Sequence, residues 1–198
     1  MPTAITFKNF YKSHVLEKLF IHTERLIIRN LKPADVEDFH IYRSNPDVTK
    51  YQGFNVMDIE QCAAFIEKQK DKVFGTAGEW VQYAIENKVT KRLIGDCAIK
   101  LDILNIQIAE TGITISHLEQ GKGFAKEAML AVMAFLFETK NVRRIAEITD
   151  AENVAAINLL KSMGFRQEGH FIENIFFKGK WGSEFLFAML QREWNGKK

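Results

Sequence analysis

Cysteine, charge of one sign and long apolar runs are all scarce in this 198-residue chain, and each scarcity removes a class of protein. Cys62 and Cys97 have no companions at metal-ligand spacing, so neither a disulfide framework nor a zinc site is expected. His14, His22, His40, His117 and His170 are as widely scattered, and no metal is expected. Lysine and arginine number 27 against 25 acidic residues, a net charge of +2. A dedicated nucleic-acid binder would carry a basic face and a much higher pI. The longest apolar run, Ala128 to Phe137, is ten residues closed by Glu127 and Glu138. A membrane helix needs roughly 20. Residues 1–20 interleave Lys8, Lys12, Glu17 and Lys18 with aromatics and lack the apolar centre of a signal peptide. Two isolated thiols suit a reducing compartment, so a soluble, cytoplasmic protein is expected.

What is present is an apolar content of 46%, enough for one well-buried core. Residues 1–21 read as an extension packed on a single domain at 22–198. Arg25 to Leu31 alternates as a strand. Pro33 with Asp35 and Glu37 starts a helix ending near Asn45-Pro46, and Asp58 with Gln61 forms a capping box for a helix reaching about Val73. Strands are expected at Trp80 to Glu86, Leu93 to Lys100 and Ala109 to Ser116. An apolar helix follows from Phe124 to Lys140, then a strand from Arg143 to Thr149. A helix from Asn153 to Met163 is stopped by Gly164. Phe165 to Phe177 and Glu184 to Leu190 supply two last strands. This order predicts an α/β (α+β) domain: a mixed, mostly antiparallel twisted sheet of about seven strands flanked by about four helices.

Between the third of those middle strands and the long helix lies Gln120-Gly121-Lys122-Gly123-Phe124-Ala125. Two glycines and a lysine before a helix start let free amide N–H groups approach an anion at the positive end of the helix dipole. A plain polar loop would also satisfy these six residues, because glycine-rich matches are weak without context. A nucleotide P-loop is excluded, since the Gly-x-x-x-x-Gly-Lys-Ser/Thr spacing is absent.

The context resembles the GNAT superfamily of acyl-CoA-dependent N-acyltransferases. Residues 109–116, Ala-Glu-Thr-Gly-Ile-Thr-Ile-Ser, and then 120–128 are similar to the family's strand, pyrophosphate loop and helix start. Thr23-Glu24-Arg25-Leu26-Ile27-Ile28-Arg29, Asp150-Ala151-Glu152-Asn153 and Lys161-Ser162-Met163-Gly164-Phe165 resemble the ribosomal-protein-alanine N-acetyltransferase (RimJ/RimL-like) branch. So does the close from Glu168 to Trp194. The resemblance implies transfer of acetyl from acetyl-CoA to a primary amine by direct attack in a ternary complex. The acceptor would be a protein or peptide α-amine or a small amine, and the enzyme a monomer or homodimer that binds neither nucleic acid nor membrane. Gln120, Gly121, Lys122, Gly123, Phe124 and Ala125 would hold the pyrophosphate. Ile113 and Ile115 would offer main-chain groups to the pantetheine amides, and the N–H near Ile115 would meet the oxyanion. Lys122 and Lys126 either neutralise phosphate or are solvated. Asn153 either reaches the cofactor or caps its helix.

The chemistry needs a neutral amine. Deprotonating a lysine-type amine at pH 7 costs about 4–5 kcal/mol, and an α-amine only about 1–1.5 kcal/mol. Glu110 is the candidate general base, its alternatives being an ammonium ligand or a structural ion pair. Glu147 stands where the resemblance implies a small residue; it either shapes the acceptor pocket or pairs with Arg143 or Arg144 at the surface, the reading favoured here. Tyr51, with Tyr42, Phe54 and Trp181, either lines the acceptor cleft or packs. Where the family places a Tyr and a Ser, this chain has Leu160 and Ala156, so no general acid for the thiolate is visible. That gap motivates a second reading, a non-catalytic acyl-CoA sensor.

Overall fold

The computed structural model describes residues 18–195. Eight strands form one sheet in the order β1-β2-β3-β4-β5-β6-β8-β7. They are β1 (Phe20–His22), β2 (Leu26–Asn30), β3 (Val81–Asn87), β4 (Leu93–Leu101), β5 (Ile108–Ile115), β6 (Arg144–Asp150), β7 (Arg166–Phe177) and β8 (Lys180–Leu190). Six α-helices flank them: α1 (Val36–Arg43), α2 (Pro46–Thr49), α3 (Ile59–Gln69), α4 (Phe124–Ala134), α5 (Val154–Met163) and α6 (Gln191–Asn195). The eighth strand is β1, three residues antiparallel to β2 and too short for alternation to reveal. It also carries the sheet back into the expected extension, of which residues 1–17 lie outside the described part.

Local chemistry explains the helix starts. The Asp58 carboxylate accepts the Gln61 N–H at 2.7 Å while the Asp58 N–H donates to the Gln61 side chain at 3.0 Å, closing the box at α3. Asn153 accepts the Ala156 N–H at 3.2 Å at the start of α5. The long apolar helix is shorter than expected: α4 ends at Ala134 and a π turn, Phe135–Thr139, finishes it.

Every neighbouring pair of strands is antiparallel except β5 and β6, which α4 connects in parallel. That pair is in register only over Ile108↔Arg144, Ala109↔Ile145 and Glu110↔Ala146. Beyond it the strands diverge, leaving Thr111–Ile115 and Glu147–Asp150 facing a notch. The larger core fills the sheet face beneath α4 and α5, and a smaller one built on Phe39, Tyr42, Cys62 and Ile66 lies beneath α1 and α3. The notch therefore opens between two packed layers, each presenting its own residues.

Candidate active site

A cavity of about 760 Å³ occupies the notch. Strand alternation sorts its walls. Thr111 and Glu147 share the α4–α5 side with Met129, Leu160 and Met163. Gln82, Ala98, Gly112 and Thr114 share the α1–α3 side, and so do Ile148 and Asp150, because parallel partners face the same way. Glu184 stands opposite Asp150 on β8.

The end of β5 supplies main-chain groups. Ser116 N–H donates to Ile94 and Asp102 N–H to Ile108, so even-numbered residues of β5 turn their backbone groups toward β4. Those of Ile113 and Ile115 turn into the notch, beyond the last register pair, where no strand of the described residues pairs with them. The Gln120 side chain takes the Ile115 carbonyl at 3.0 Å and leaves its N–H open.

The glycine loop continues from there. Gly121 (φ +75°) and Gly123 (φ +81°) adopt the left-handed conformation, which disfavours a Cβ. No hydrogen bond within the described residues takes up the N–H groups from Gln120 to Lys126, the first orphan donors of α4. Lys122 Nζ folds back on the Leu118 carbonyl (3.0 Å) and the Glu119 carboxylate (2.9 Å), and Lys126 Nζ donates to the Ser162 carbonyl at 3.2 Å. The donors that face a ligand here are therefore backbone groups. Arg25 braces the loop: its Nη1 donates to the Lys122 carbonyl (3.0 Å), its Nε to Glu127 (2.6 Å), and its guanidinium lies 4.4 Å from the Phe124 ring centroid. Thr23 donates to Glu127 as well. These braces lie 97 to 104 residues from their partners in sequence, so no local pattern announces them.

The sequence and the fold match those of other proteins. The family model described as Acetyltransferase (GNAT) domain matches residues 25–166. The chain belongs to the GNAT acetyltransferase family. An uncharacterized N-acetyltransferase p20 of Bacillus licheniformis is 30% identical over 177 residues, covering 89% of this chain and 98% of that one. The [Ribosomal protein uS5]-alanine N-acetyltransferase of Escherichia coli is 29% identical over 83 residues, 42% of this chain and 43% of its own. A GNAT-family acetyltransferase structure from Bacillus anthracis superposes with a TM-score of 0.81 at 26% identity, covering 88% of this chain and all of its own. Spermidine N-acetyltransferase from Vibrio cholerae, in complex with CoA and spermine, gives 0.73 at 23% identity, covering 87% and 99%. The protein is an acetyl-CoA-dependent N-acetyltransferase, and the reading as a non-catalytic sensor gives way.

Within this GNAT fold the expected residues separate. Glu147 does not pair with Arg143 or Arg144: Arg144 is bound to Glu168 (3.1 Å from Nη1), and Glu147 is buried, accepting a hydrogen bond from Thr111. Burial pushes its carboxyl up to about 8; the Thr111 hydrogen bond opposes that and the charge of Glu110 adds to it. Glu110 lies on the other sheet face, held by Lys100 Nζ at 2.6 Å, and is not part of the cavity wall. The two glutamates thus do not form one acidic acceptor wall. Asn153 caps α5 and lines the cavity, Tyr51 and Phe54 line it too, and Tyr42 is core. Trp181 is exposed on the β7–β8 hairpin and packs on Phe176. Burial raises the Cys62 thiol to about 11 and raises Cys97 as well, so neither is a nucleophile.

Two features of the site were not expected. Asp150 and Glu184 enter the cavity lining side by side. Beneath them Arg43 and Asp96, 1% and 0% exposed, form an ion pair at 2.7 Å, joined by Tyr42 Oη at 2.6 Å and the Gln82 amide. The Arg43 guanidinium also lies 4.1 Å from the Phe54 ring centroid. Gln82 and Phe54 are both cavity walls, so the buried pair orients that side of the pocket.

Proposed function

We propose that this N-acetyltransferase acylates a slender primary amine carrying positive charge, a polyamine-like acceptor, entering from the α1–α3 side. The observation that carries this reading is the charge of the cavity. Asp150 and Glu184 line it, beside a Glu147 whose burial favours the neutral carboxyl, and no lysine, arginine or histidine does among the described residues. Such a pocket attracts a cation and disfavours an acceptor with its own carboxylate. The rim supports a narrow guest. Tyr51 Oη donates to the Glu152 carbonyl at 3.2 Å, and Lys178 Nζ donates to the Thr49 carbonyl at 2.5 Å, tying the loop after α2 to the opposite lip.

In this proposal the open amides from Gln120 to Ala125 hold the pyrophosphate of acetyl-CoA. The backbone of Ile113 and Ile115 aligns the pantetheine arm like an added strand, with the Ile115 N–H as oxyanion donor. Asp150 and Glu184 meet the incoming ammonium, and Glu110 accepts its proton through water. An α-amine of a protein, the RimJ/RimL-like reading, is the second possibility, favoured by the Thr23–Arg29 strand and the partial likeness to the Escherichia coli ribosomal enzyme.

Release of the CoA thiol, followed across linear polyamines, diamines, and peptides beginning with Ala or Ser, separates the two. A kcat/KM at least about tenfold higher for the polyamines is expected from one lost charge partner. A preference for the peptides would replace the first reading with the second.

A further inference from the structure

Acetyl transfer leaves the coenzyme sulfur as a thiolate that needs a proton. Leu160 and Ala156, on the α5 wall, have none to give. Three other donors in the cavity are engaged elsewhere: the Tyr51 hydroxyl on the Glu152 carbonyl, the Gln82 amide on Asp96, the Thr111 hydroxyl on Glu147; the remaining hydroxyls, amides and the Trp80 N–H are far weaker acids than a carboxyl. Asp150 and Glu184 are partly exposed on the α1–α3 side, where the amine is proposed to enter. Glu147 differs from both. It is 8% exposed, lies on the α4–α5 side and, among the described residues, has Thr111 as its one hydrogen-bond partner and forms no ion pair.

We propose, on the acetyl-CoA placement given above, that Glu147 is the catalytic acid that protonates the departing coenzyme A thiolate. Attack and departure then use opposite faces of the sheet, the amine arriving beneath α1 and α3 and the sulfur leaving toward α4 and α5. As the amine nitrogen bonds to the thioester carbonyl carbon and the C–S bond breaks, the bonding pair leaves on sulfur and Glu147 gives it a proton. The nitrogen's surplus proton passes to water through Glu110, and solvent returns one proton to Glu147. Nothing is oxidised or reduced.

The surroundings suit this role. With its carboxyl raised to about 8, Glu147 is mostly protonated at neutral pH. A thiol with an unperturbed pKa near 8.5 accepts that proton almost without cost. The titratable groups around it are Glu110 from β5, Cys97 from β4, Asp150 from its own strand and Glu184 from β8, while α4 and α5 present Met129, Leu160 and Met163. All of these groups favour the protonated carboxyl or are neutral.

The variant Glu147→Gln keeps a neutral side chain able to meet Thr111, and tests the proposal. The intact protein is titrated by infrared spectroscopy, and a protonated-carboxyl band fading near pH 8 and missing in E147Q is expected. In steady state, E147Q should lose about 10²-fold in kcat at pH 7, and because raised pH supplies neutral amine to both enzymes, the ratio of wild-type to E147Q kcat should shrink above pH 8. CoA affinity by calorimetry should stay within about twofold. An unchanged kcat in E147Q overturns the proposal, as does a wild-type to E147Q ratio that grows through pH 8, which would make Glu147 a base. Loss of binding for Gly123→Glu, with E147Q binding normally, upholds the placement independently. CoA found outside the notch in a soaked crystal would overturn the placement and the acid role together.

Discussion

The two ends of the cleft are built from different material. The phosphate-loop end is main chain: amides from residue 120 to 126 held open by two left-handed glycines, with Lys122 and Lys126 turned to protein carbonyls. The acceptor end is side chain: Asp150 and Glu184 on the α1–α3 side with the Arg43–Asp96 pair, and Glu147 behind them on the α4–α5 side. In the proposed placement, backbone donors recognise what every acyl-CoA shares. Side chains held by long-range contacts are proposed to decide which amine is taken. The same division predicts that damage at the first end costs cofactor, and damage at the second costs acceptor or stability.

The largest expected effect tests whether the acceptor end rests on its buried pair. Arg43→Met leaves Asp96 buried and uncompensated, and should cost about 3–5 kcal/mol in denaturant unfolding. A loss below about 1 kcal/mol would mean that Tyr42 and Gln82 suffice to hold Asp96.

Glu147 gives a second, pH-dependent measure at the same end. Its folded carboxyl titrates at about 8, above the unfolded value near 4.3. Between those limits the unfolded chain has released a proton that the folded chain keeps, so wild-type stability falls as pH rises. Glu147→Gln lacks that slope and should gain on wild type across the window, by roughly 3 kcal/mol at pH 7. Parallel stability curves from pH 5 to 8 would show an ionised Glu147 instead.

At the other end, Gly123→Glu sets a carboxylate among the open amides. Acetyl-CoA affinity should fall more than about 10²-fold while unfolding shifts by only about 1–2 kcal/mol for the left-handed site. Unchanged affinity by calorimetry would break the comparison, because the loop would then bind nothing. The smallest effect sharpens it: Asp150→Asn should raise KM for a polyamine about tenfold and leave acetyl-CoA affinity unaltered. A matching loss for both substrates would merge the two ends into one site.

Much of the scaffold was legible because its signals are local. Asp58 with Gln61, Asn153 and Gly164 mark helix ends through bonds within four residues. Gly121 and Gly123 announce the loop for the same reason. Glu147 was misread because alternation gives a face but not what covers it. Arg144, its expected partner, is taken by Glu168. The shelter around Glu147 comes from Thr111, 36 positions away, and from α5. The bracing of the loop by Arg25 and Thr23 was silent too, since no periodicity encodes a contact across about a hundred residues.

By itself the amino-acid order determined the succession of strands and helices, the family and the left-handed glycine turn, because periodicity, caps and glycine dihedrals act over a few residues. The tertiary structure alone decided which carboxylates meet. Three register pairs between β5 and β6 put Glu110 and Glu147 on opposite faces and let the strands part beyond them. Burial in that gap, an effect of every layer around it, is what keeps a proton on Glu147.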